Sequence, residues 1–95
     1  MKSKYFIRYK LIIEKLQRSG SVNYDDIEDY LYDKFDIMGD EFSYSIRTFQ
    51  RDKNDIYDLF GIRILNDRSD NTYYIDEEEI TEPAKKLLDA FTVSN

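Results

Sequence analysis

Ser45–Gly61 reads SIRTFQRDKNDIYDLFG, and the class of the whole chain turns on this stretch. Ile46, Phe49, Ile56 and Phe60 recur at intervals that line one side of an α-helix. Ser45 is a favourable N-cap, and Gly61 is a favourable left-handed stop. Lys53 occupies one place in the apolar rhythm, so its ammonium must snorkel to the edge of the core. At about 100° per residue, Arg47, Gln50, Arg51, Asn54 and Asp58 fall on the opposite side. Thr48 and Asp55 flank that outer face. Its N-terminal half therefore offers Arg, Thr, Gln, Arg and Asn. Arginine can be bidentate to guanine, and Asn or Gln to adenine. Hydroxyls and the free N–H groups of a helix N-terminus suit phosphate oxygens.

The flanking segments supply a frame for that helix. Before it, KYFIRYKLIIEKLQRSG carries Tyr5, Phe6, Tyr9, Ile12, Ile13 and Leu16 at helical spacing, with Gly20 as a stop. This predicts a helix from about Lys4 to Arg18. Asn23 caps a second helix with Asp25 and Asp26 in its first turn and Tyr24, Ile27, Leu31 and Phe35 on one face. That helix should end before Gly39, and the loop GDEFSYS follows with Phe42 as an anchor. After Gly61 the period changes. Two strands are expected, about Ile62–Asn66 and Thr72–Ile75, joined by a turn rich in Asp, Ser and Asn. One of Tyr73 and Tyr74 should cover the core while the other stays half-exposed. A last helix is capped by Thr81, with Pro83 in its first turn and a stripe of Ala84, Leu87, Leu88 and Phe91. That stripe is either core or a dimer or interdomain surface.

Composition narrows the function classes. Ninety-five residues make one small domain with 14 Lys+Arg against 20 Asp+Glu, a net charge of −6. Cysteine and histidine are absent, which removes disulfides, thiolate metal sites and the commonest general base. DDIED and DEEE lack the alternating spacing and glycine of a calcium loop and read as solvated faces. We expect no enzyme activity, metal or cofactor, no membrane association and a cytoplasmic, nucleoid-associated protein.

The charge is unevenly placed. Residues 1–18 carry six cations and one anion, residues 19–44 one cation and eight anions, and residues 45–75 five of each. Residues 76–95 carry two cations and six anions. The order helix, helix, helix, hairpin predicts a mainly α winged helix-turn-helix: a three-helix bundle, a two-stranded wing and a C-terminal helix. The domain would span about 1–80, with 81–95 as a helical linker or dimerisation element. The third helix would enter the major groove of double-stranded DNA, and Arg68 at the hairpin tip would meet adjacent backbone or minor groove.

Taken together, KYFIRYKLIIEKL, DDIEDYL, SIRTFQRDKNDI and FGIRILNDRSDNTYYID resemble the N-terminal DNA-binding domain of bacterial WYL-domain transcriptional regulators, related at this end to the deoxyribose-operon repressor type. The resemblance covers nearly the whole chain. It implies a sequence-specific regulator in which the residues matching Arg47, Thr48, Gln50 and Arg51 lie on the recognition helix. It also implies a C-terminal WYL sensor domain that binds any effector, and this chain has none. We read the chain as an excised domain or an unusually short member. A second departure is Lys53, which stands where such sequences usually have leucine.

The site residues expected from all of this are Ser45, Arg47, Thr48, Gln50, Arg51, Asn54 and Arg68. Two plainer readings compete. Arg47 and Arg51 would be solvated surface, with Arg51 spaced to pair with Asp55. The fold would then be a winged-helix protein-interaction module without DNA binding. The readings separate on whether Asp52, Asp55 and Asp58 point aside or pair internally.

Overall fold

A computed structural model describes residues 2–93, and the side chains of residues 4–90. Four helices enclose a small three-stranded antiparallel sheet. Helix α1 (Lys2–Ser19) buries Tyr9, Ile12, Ile13 and Leu16, as its spacing predicts. Tyr5 and Phe6, expected on the same face, are instead 53% and 57% exposed. Near the N-terminal end of α1, Phe6 stacks on Phe60 at the end of the third helix, ring centroids 5.7 Å apart.

Strand β1 (Ser21–Asn23) has no counterpart in the sequence reading. Three residues are too few to show a period of two, and Val22 alone of the three is buried. Asn23 ends this strand and also caps α2 (Tyr24–Ile37), its Oδ1 accepting from the Asp26 N–H at 2.8 Å. Ile27, Leu31 and Phe35 of α2 are buried. Phe42 anchors the following loop, its ring stacked 4.4 Å from Phe35.

Helix α3 (Ile46–Phe60) begins at the Ser45 cap and ends at Gly61, φ 72°, whose N–H bonds the Tyr57 carbonyl at 2.8 Å. A Cβ at Gly61 would meet only ordinary contacts with Thr81 and Ala84. The left-handed backbone, not lack of room, is what favours glycine there.

Strands β2 (Ile64–Asp67) and β3 (Thr72–Ile75) form the expected hairpin, with Asn71 in the left-handed region at φ 56°. Ile62 is fully buried but precedes the paired segment. Strand β3 is central. It pairs with β2 (Asn66 opposite Tyr73) and with β1 (Val22 opposite Tyr73). Tyr73 is buried and Tyr74 half-buried, as alternation requires. Helix α4 (Glu82–Val93) packs on α1 through buried Ala84 and Leu88, its Thr81 cap accepting from the Ala84 N–H at 3.3 Å. The Phe91 side chain lies outside the described residues. No helix among the described residues is long and apolar enough to cross a membrane.

Candidate nucleic-acid interface

The inner side of α3 differs from the rhythm expected of it. Phe49, Asp52 and Ile56 are its buried residues. Ile46, expected in the core, is 46% exposed, and Lys53 is only half-buried. The core stripe is therefore rotated from the expected line, and its central member is a carboxylate.

Asp52 is fully buried because its charge is met from two sides. Arg8 of α1 reaches it with both forks of the guanidinium, Nε to Oδ2 at 2.7 Å and Nη2 to Oδ1 at 2.6 Å. The Tyr44 hydroxyl donates to Oδ2 at 2.7 Å. This is the bidentate geometry that makes a buried pair tolerable. The Tyr44 hydroxyl is pushed well above its ordinary value by burial and by the hydrogen bond to Asp52. Burial works against the Arg8 cation, but its hydrogen bond and attraction to Asp52 prevail and raise its pKa. One turn on, Asp55 accepts from the Tyr9 hydroxyl at 2.9 Å. Burial and that bond push Tyr9 up to about 12. The spacing of Arg51 with Asp55 thus does not become a pair, because α1 engages the carboxylate.

The outer side keeps its cations. Arg47, Arg51 and Asn54 are exposed and form no side-chain hydrogen bond or ion pair with another described residue. Ser45 and Thr48 are engaged at the cap: Ser45 Oγ accepts from the Thr48 N–H at 3.2 Å and lies 3.1 Å from its hydroxyl. Asp58 is the exposed carboxylate remaining on α3. It lies eleven residues beyond Arg47, about 16 Å along the axis at 1.5 Å per residue.

Gln50 is held from the sheet. Its Nε2 donates to the Tyr73 hydroxyl of β3 at 3.3 Å. Phe49 meets the same ring edge-on, centroids 4.8 Å apart. The Lys53 ammonium lies 5.1 Å from the Tyr73 ring centre and 5.9 Å from that of Phe49. Lys53 therefore does reach the margin of the core, with its pKa lowered by burial. One ring of the hairpin thus positions three side chains of α3.

Arg68 lies exposed at the hairpin tip, between Asp67 and Asp70. Asp67 accepts from the Ser69 N–H and hydroxyl, at 3.0 and 2.7 Å, which lowers its pKa. Asp70 accepts from the Thr72 hydroxyl at 2.8 Å. The two carboxylates are engaged within the turn and leave the tip net acidic around the exposed Arg68.

Sequence reasoning missed Arg8, Tyr9 and Tyr44 as supports of α3. The available signal was Asp52 itself, three residues after Phe49 and four before Ile56. Among the described residues, no group of three or more acidic, His or Cys side chains could hold a metal ion. Compared with protein-family models, curated proteins and solved structures, the chain has no match in any of the three.

Proposed function

We propose that the chain is a winged helix-turn-helix DNA-binding domain of a bacterial transcriptional regulator, akin to those that precede WYL sensor domains. Helix α3 serves as recognition helix and the β2–β3 hairpin as wing. The observation that carries this reading is the sorting of charge on α3. The helix has three cations and three anions, yet Asp52 and Asp55 are turned inward onto Arg8 and Tyr9. Arg47 and Arg51 are left outward without a carboxylate partner. That makes the N-terminal half cationic within an acidic protein. Arg47, Gln50, Arg51 and Asn54 read base edges, the cap region with Ser45 and Thr48 meets phosphate, and Arg68 adds a backbone or minor-groove contact.

The test is titration of isotope-labelled protein with a mixed-sequence duplex at low salt, followed by amide shifts. Shifts clustering at residues 45–54 and around Arg68, and collapsing as salt is raised, are the expected result. Unmoved amides, or shifts scattered over α2, would sink it. A second reading, a winged-helix protein-interaction module, is favoured by the exposed aromatic and aliphatic surface of Tyr5, Phe6 and Leu59. It takes the lead if the duplex leaves α3 unmoved.

A further inference from the structure

Ile46 is the first residue of α3 and is 46% exposed. Nothing in the fold requires an apolar β-branched side chain there. The cap is supplied by Ser45 with Thr48, and the core stripe by Phe49, Asp52 and Ile56. A lone exposed apolar residue is ordinary in itself. The surroundings of this one are not. Phe6 and Ile7 line an apolar hollow with Lys10, Phe60 and Leu87, and Ile37, 78% exposed, ends α2 among acidic residues. Ile46 stands instead between Ser45 and Arg47, one turn before Gln50, whose amide is held by Tyr73. On the helical wheel Ile46 and Gln50 lie about 40° apart, at the edge of the outer face.

We propose that Ile46 is a specificity-determining residue that reads the 5-methyl group of a thymine. The proposal rests on the DNA-binding reading above. A helix that enters the major groove N-terminus first brings its first turn to the base edges. The groove there presents one apolar feature, the thymine methyl. A β-branched side chain in a helix has one strongly preferred χ1, so Ile46 meets that methyl with little ordering to do. Side chains one turn apart are about 5–6 Å from one another, against 3.4 Å per base pair. The thymine therefore lies within about two base pairs of the base met by Gln50.

The full chain is used to select duplexes from a randomised pool at low salt. Each thymine of the selected duplex is then replaced singly by deoxyuridine, which deletes only the methyl. Affinities are measured by fluorescence anisotropy for the wild type and for Ile46→Ala, whose fold is checked by circular dichroism. One replacement should weaken the wild type about three- to fivefold, the effect of leaving one methyl-sized group unburied. The same replacement should leave Ile46→Ala unchanged. If no thymine methyl matters to the wild type, or the variant keeps the full penalty, the inference is wrong. Arg47→Ala and Arg51→Ala on the unmodified duplex report separately on DNA binding. Their weakening would uphold that reading even where the thymine result fails. If no duplex is selected, both are overturned.

Discussion

At the scale of single residues, Asp52 explains how a helix with as many acids as bases can show a cationic outer face. A buried carboxylate is costly alone, and Arg8 and Tyr44 meet its charge directly. Arg8→Met leaves Asp52 buried without its cation. Breaking such a pair costs about 3–5 kcal/mol when both partners are buried, and the Arg8 side chain is 15% exposed. We expect a loss of about 2–3 kcal/mol in urea denaturation, and a loss below about 0.5 kcal/mol would show the pair to be incidental. Replacing Arg8, Tyr44 and Asp52 together by Met, Phe and Leu should restore most of that stability, since apolar isosteres remove the desolvation penalty as well. The hydroxyls around α3 give a pH signature. Tyr9 titrates near 12 when folded, against 10.0 for the free group, and Tyr44 is also raised. The unfolded chain thus releases these protons first. The stability they contribute is fully present below pH 10 and is lost as pH rises through the folded value. Urea midpoints should fall between pH 10 and 12, and more gently in Tyr9→Phe. An identical slope in that variant would contradict the assignment.

At the scale of elements, short polar residues set the boundaries and one ring joins sheet to helix. Asn23 closes β1 and caps α2. Asn23→Ala should cost about 1 kcal/mol, as loss of an N-cap does. Faster hydrogen exchange at the Asp26 amide would locate the damage, and unchanged exchange there would mean that the cap bond carries none of it. The helices were legible because 12- to 18-residue segments repeat their apolar spacing several times. The hairpin was legible from its turn residues. Strand β1 was not, because its pairing depends on β3 arriving beside it, about fifty residues later in the chain. The inner face of α3 was legible only approximately. Lys53 is the odd residue in the apolar rhythm, whereas Asp52 is the one fully buried. Spacing alone cannot tell which of two adjacent charged residues will find a partner.

At the scale of the whole molecule, a net charge of −6 sets an unfavourable long-range field for a polyanion. Half of the twenty acidic residues lie on α2 and on Asp76–Glu79, and three lie on α3. Binding carried by Arg47, Arg51 and Arg68 should therefore be weak and strongly salt-dependent. If each of the three arginines displaces one phosphate counterion, the slope of log affinity against log salt is about −3, at about 0.9 per counterion, and it is shallower where Arg47 or Arg51 meets a base edge alone. Removing a phosphate-contacting arginine should make the slope shallower by about one, whereas removing a base-reading one should weaken binding with less change in slope. A slope near zero would mean that the cations of α3 do not meet DNA.

The sequence by itself determined the four helices, the β2–β3 hairpin and the outer face of α3. These follow from local physics: apolar periodicity, capping side chains, and glycines that accept left-handed backbone at helix ends. The tertiary structure decided the sign of that face. Asp52 is neutralised by Arg8 and Asp55 is turned toward Tyr9 only because these partners, more than forty residues earlier, come within hydrogen-bond distance of them. It also decided that Ile46 faces outward and that Tyr73 holds Gln50. Long-range partners of this kind leave no period in the chain. They arise from packing α1 and the sheet around one short helix, and only the folded molecule contains them.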